Sequence, residues 1–113
     1  MIRSALFTVV SFSLCMSVPS AGAAASKDDE KMMRLVAECA YVVRVAEGNG
    51  VRLNNSAATW DQAKAGMGVK LQIDPARYDA EARAKYKVRE RKLGSEQALR
   101  GLIQRARDCD AQL

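Results

Sequence analysis

Among the residues of this chain whose types permit chemistry are six carboxylates, Glu38, Glu47, Asp61, Asp79, Glu81 and Glu90, and two cysteines, Cys39 and Cys109. If the fold paired two of those carboxylates, they would have the ingredients of general acid and base, as in glycoside hydrolysis. On helices the same residues read as solvated charges, and Glu81 with Lys85 has the favourable i, i+4 order of a surface ion pair. The chain contains no His. That removes the usual general base, the commonest metal ligand and every Ser-His or Cys-His nucleophile pair. Two cysteines without His complete a zinc site only with scattered carboxylates, and they lack the C-x-x-C spacing of a redox-active pair. With no nucleophile or base constellation, the expectation is a protein that is not an enzyme and uses neither metal nor cofactor.

A second candidate chemistry is phosphate binding at Gly-x-Gly, which occurs twice, at Gly48-Asn49-Gly50 and Gly66-Met67-Gly68. The G-x-G-x-x-G spacing fails, because Leu53 and Leu71 stand where the third glycine belongs and no clear strand precedes either copy. The two copies belong instead to a weak repeat with an offset of 18 residues, running from Gly48 to Asp61 and again from Gly66 to Asp79. Each reads as glycines that end a helix, a short V-basic-L crossing, and Ser56 or Asp74 capping the next helix. In the second copy Pro75 falls at the first helical position and Ile73 is spaced to pack on Tyr78 as a hydrophobic staple. Residues 69–73 alternate like a strand, but with only Val51-Arg52-Leu53 to pair with, they read as extended loop or a ragged helix end.

The elements that position these residues begin after a leader. Arg3, the apolar run Ala5 to Val18 and the small residues to Ala23 have the layout of a secretory signal, with cleavage expected after Ala23. The run is too short to span a membrane as an anchor. Bulky Leu14 before Cys15 argues against a lipidated cysteine there. The remaining 90 residues suffice for one domain. Phe7 and Phe12 leave with the leader, so the core must be built from Leu, Val, Ile, Met and Ala with Tyr41, Trp60, Tyr78 and Tyr86 as its only rings. An exported chain with an even pair of cysteines reads as disulfide-bonded, the rival being two buried thiols packed as small apolar residues.

Apolar periodicity predicts an all-α bundle of about four helices, at 27–47, 56–66, 74–93 and 95–112. In the first, Met32, Leu35, Val36, Cys39, Val42, Val43 and Ala46 form the inward stripe, while Glu38 falls off it. The short second helix offers Trp60, Ala63 and Met67. The third offers Tyr78, Ala82, Tyr86 and Leu93, with Arg89 intruding. Ser95 caps the fourth, whose stripe includes Leu99, Leu102, Ala106, Cys109 and Leu113. Cys39 and Cys109 both face inward, so a disulfide between first and last helix is expected.

Charge is distributed unevenly. Residues 83–92 hold Arg83, Lys85, Lys87, Arg89, Arg91 and Lys92 against Glu90, and the rest of the chain after the leader sums to about minus one. On a helix Arg83, Lys87 and Arg91 line one stripe, with Lys85, Arg89 and Lys92 roughly opposite. Such a stripe attracts an acidic protein or an anionic surface, and otherwise serves as a soluble exterior suited to the helix C-terminal dipole. Nucleic acid is not the expected partner of an exported chain.

With a leader, about ninety further residues, Glu38-Cys39-Ala40-Tyr41 in the first helix and Arg107-Asp108-Cys109-Asp110 near the end, the layout resembles small exported bacterial helical proteins with one helix-to-helix disulfide. The type VI secretion amidase-immunity proteins are among them. The resemblance is architectural and carries over no functional residue. The reading is a periplasmic or secreted, non-enzymatic protein that binds another envelope or secreted protein. The alternative is attachment to anionic envelope polymer or lipid headgroups through helix 83–92.

Overall fold

The computed structural model describes residues 26–113; the expected leader, with Cys15, lies outside the described residues. Among those described, four helices and no strand form: α1 (Lys27–Gly48), α2 (Ala57–Leu71), α3 (Ala76–Leu93) and α4 (Ser95–Asp110). Ser26 caps α1, its hydroxyl accepting from the Asp29 N–H at 3.1 Å, and Asp28, Asp29 and Glu30 place negative charge against the positive helix start. The expected stop at Gly48-Asn49-Gly50 holds, with Gly50 at φ +84° supplying the left-handed turn. Ser56 caps α2 by accepting from Thr59 N–H.

All three other helices pack on α1, and α3 also packs on α4. Ion pairs between α1 and α2, Arg44 with Asp61, and between α1 and α3, Arg34 with Glu81, fix neighbouring directions. Because α1 is central, it is buried over far more than one stripe: Met33, Ala37 and Ala40 are inside along with Val36, Cys39, Val42, Val43 and Ala46. Met32, expected inward, is half exposed, and Met33 takes its place in a small cluster with Ala37 and Tyr78. The larger cluster joins Val36, Val42, Val43, Trp60, Tyr86, Leu102 and Ala106. The disulfide Cys39–Cys109 lies within it, fully buried, with Cα atoms 5.7 Å apart, and clasps α1 to α4.

Several expected details differ. The second helix does not stop at residue 66 but runs to Leu71, through both glycines. Gln72 takes the left-handed conformation (φ 57°), its N–H reaches Val69 O, and Ile73 N–H reaches Gly68 O at 3.0 Å. That is a Schellman closure with Gln where glycine usually sits, and Met67 and Ile73 meet in the small cluster as its hydrophobic contact. Gly68 is required by the return of the chain, since a Cβ there would lie 2.9 Å from Ile73 O. Residues 69–71 are therefore helical, and the 18-residue repeat holds only in its second half: Ser56 and Asp74 each accept a backbone N–H at a helix start and Trp60 and Tyr78 are both buried, whereas only the first glycine pair lies at a helix end. The third helix begins at Ala76 with Pro75 before it, Asp74 accepting from Ala76 N–H, and Tyr78 buried against Ile73 as expected. The fourth helix is entered from Gly94 (φ +87°), and Ser95 is its first residue, donating to Glu90 instead of capping. It ends at Asp110, which leaves Leu113 exposed; Ala63 and Leu93 are also exposed.

Candidate functional site

Glu38 sits one residue before the disulfide on α1, inside a stretch buried from Val36 to Ala40. The residue is 9% exposed and its side chain 12%, at the edge of a cleft, so leaving its charge unpaired there would be unfavourable. Three donors from two other helices meet it. Lys85 Nζ (2.7 Å) and Tyr86 Oη (2.9 Å) from α3 donate to Oε2, and Arg105 Nη2 (3.3 Å) from α4 donates to Oε1. Burial alone would push this carboxyl up. The hydrogen bonds from Lys85 and Tyr86 and the charges of Lys85 and Arg105 outweigh it and hold the group below the usual carboxylate range. The Tyr86 hydroxyl is pushed up to about 12, by burial and then by the adjacent Glu38 charge.

Tyr86 in turn fixes Tyr41. The two rings stack with centroids 5.8 Å apart and planes inclined at 30°, and Arg89 covers Tyr86 with its guanidinium 5.1 Å from the centroid. Arg89 therefore does not intrude on the inward face; it is exposed, with its guanidinium over a buried ring. Tyr41 and Val45, both half-buried, are the shared floor of two surface depressions of about 200 Å³ each. One lies between α2 and α3 and is bordered by Arg44, Asp61, Lys64, Asp79 and Arg83. The other is bordered by Lys87 and Glu90 of α3 and by Ser95, Ala98 and Leu99 of α4.

The expected basic stripe is exposed as drawn. Arg83, Lys87 and Arg91 are all on the surface, and none is within ion-pair distance of a carboxylate among the described residues. Arg83 borders the first depression and Lys87 the second; Arg91, one turn further, borders neither. The other stripe is partly consumed, because Lys85 is bound to Glu38 and Arg89 to the Tyr86 ring. Glu81 does not pair with Lys85: it receives Arg34 at 2.9 Å from α1 and Arg77 at 3.8 Å.

The other four candidate carboxylates are likewise engaged. Asp61 holds Arg44 and Lys64, Asp79 holds Lys64 at 2.8 Å, Glu47 accepts from Ala57 N–H at the start of α2, and Glu90 accepts from Ser95. Asp110 accepts from the backbone N–H groups of Asn54 and Asn55 at 2.8 Å each, tying the α1–α2 loop to the end of α4. Among the described residues no three His, Cys, Asp or Glu side chains are grouped to hold a metal ion, and no helix is long and apolar enough to cross a membrane. A cleft of about 450 Å³ between α1 and α3 is lined by Arg34, Glu38, Tyr78, Glu81, Lys85 and Val88, its four charges already paired in the two bridges above.

Compared with models of protein families, with curated proteins and with solved structures, the chain finds no match.

Proposed function

We propose that this chain is an exported, non-catalytic helical protein that binds another envelope or secreted protein through the basic face of α3, as an inhibitor or immunity protein does. The observation that carries this reading is that Arg83, Lys87 and Arg91, at successive turns on one face of α3, are all exposed and without a carboxylate partner among the described residues. Cations left unpaired attract an external acid. The disulfide fits a non-reducing compartment, and the layout resemblance to amidase-immunity proteins points the same way. The commitment of Glu38, Glu81, Asp61 and Asp79 to internal partners supports a binding role over a catalytic one. A second reading, attachment to anionic polymer or lipid headgroups, draws on the same charge run. The stacked Tyr41 and the concave floor favour a protein, because a flat anionic surface has no protruding side chain to seat in a depression.

The test is capture from an envelope extract at low and high salt, alongside sedimentation with anionic lipid vesicles. The protein-binding reading expects a defined captured protein that survives moderate salt through apolar contacts. Cosedimentation with vesicles, lost steeply with salt and accompanied by no captured protein, supports the alternative.

A further inference from the structure

The two depressions beside Tyr41 adjoin at Tyr41 and Val45, which line both, and the border of this double groove carries two cations without a carboxylate partner among the described residues. In the first, Arg44 and Lys64 neutralise Asp61, and Lys64 also neutralises Asp79, which leaves Arg83. In the second, Lys87 has no carboxylate within ion-pair distance, while Glu90 on the same border keeps its charge and accepts only the neutral Ser95 hydroxyl. Arg83 and Lys87 stand one helical turn apart on the same bank, about 5–6 Å between their Cβ atoms. The floor between them is apolar: Tyr41 and Val45, with Leu99 at the α4 end. Tyr41 is held in advance of binding by its stack on Tyr86, which Glu38 fixes from below by hydrogen bond. An aromatic already immobilised loses little entropy on contact, the property that makes tyrosine an effective interface anchor.

We infer that this groove receives a segment of the partner protein carrying a large apolar side chain flanked by carboxylates. The apolar group packs on Tyr41 and Val45, and the carboxylates pair with Arg83 and Lys87. This rests on the protein-binding reading above and specifies the recognised chemistry. The larger α1–α3 cleft does not compete, since its charges are internally satisfied. Trp60 Nε1, buried without a hydrogen-bond partner among the described residues, borders none of these depressions.

The probe is a displayed library of random 12-residue peptides, selected on the disulfide-bonded chain lacking the leader. The expected consensus has at least two Asp or Glu within a few residues of Trp, Phe or Leu. A synthetic consensus peptide should bind at least about tenfold more weakly to Tyr41→Ala. It should also bind more weakly to Arg83→Glu/Lys87→Glu, whose exposed side chains can be exchanged without disturbing the core, and this loss should shrink as salt is raised. Thermal unfolding of each variant separates a lost contact from a lost fold. Peptides without acidic residues, or a consensus peptide that binds the charge-reversed variant as well as the parent, overturn the assignment. If a captured envelope protein is weakened by the reversal but ignores Tyr41→Ala, the groove is wrong while binding through the basic face stands; if only vesicles are bound, the protein-binding reading itself falls.

Discussion

Tyr86 Oη donates a 2.9 Å hydrogen bond to Glu38 Oε2, and through that bond the covalent clasp, the buried charge and the surface aromatic Tyr41 become one connected structure. Glu38 adjoins Cys39 in sequence, Tyr86 carries the bond across to α3, and Tyr41 stacks on the outer side of Tyr86. The interior of this bundle thereby positions its exterior groove.

Glu38→Gln should lower stability at neutral pH by about 1–3 kcal/mol, the range for a lost charged hydrogen-bond partner. The value falls below that of a fully buried pair because the Lys85 side chain is 48% exposed and can return to water. Glu38 has a folded-state pKa below its unfolded one, so its contribution is present above the unfolded value and fades as pH falls through the folded one. Denaturant midpoints of parent and variant should therefore converge on acidification. Tyr86 behaves in the opposite sense: raised to about 12, it contributes fully below the ordinary tyrosine range and loses that contribution as pH climbs through 12. Parallel unfolding curves from acid to neutral pH check the first statement, and a gap that persists into acid would contradict it.

Replacing Cys39 and Cys109 together by Ala should lower the denaturant midpoint sharply. The bond spans 70 residues of sequence, and closing such a loop stabilises by roughly 4 kcal/mol in the chain-entropy model. That is a large share of the roughly 5–15 kcal/mol of a small domain. Helical circular dichroism without denaturant should partly survive, since α1 and α4 keep their apolar faces. An unchanged midpoint would mean that the aromatic-poor core suffices alone.

The end of α2 gives two substitutions of opposite sign. Gly68→Ala should destabilise by about 1 kcal/mol or more, because its new Cβ meets the Ile73 carbonyl at 2.9 Å. Gln72→Gly should stabilise by about 0.5–1 kcal/mol, since a non-glycine residue in the left-handed conformation carries a penalty that glycine does not. Thermal melts of the two variants, run side by side, check both signs.

These contrasts mark what was legible beforehand. The helix number, the clasp and the inward cysteines follow from periodicity and from the chemistry of an even cysteine pair, and the exposed Arg83, Lys87 and Arg91 stripe follows from helical spacing. The length of α2 did not, because Gly66 and Gly68 read as a stop, whereas the stop is Gln72, a residue without intrinsic preference for its conformation. Glu38 also escaped: as a charge off the apolar stripe of α1 it read as solvated, a rule that fails when a helix is surrounded by three others. The signal available was its place beside Cys39 within a helix otherwise apolar on several faces. Tyr41 escaped for a related reason, since its role depends on Tyr86, 45 residues away, and no local pattern records such a stack.

If the Arg83, Lys87 and Arg91 stripe serves binding and not folding, as proposed, removing its charge should separate the two. The most direct measurement compares parent and Arg83→Gln/Lys87→Gln/Arg91→Gln in two readings on the same preparation, denaturant midpoint and association with the captured envelope protein across salt concentrations. Three like charges at i, i+4 and i+8 repel by a few tenths of a kcal/mol per pair. The variant's midpoint should therefore equal or slightly exceed the parent's, while its association falls most at low salt. A variant that unfolds, or one that binds like the parent at every salt concentration, would contradict the account.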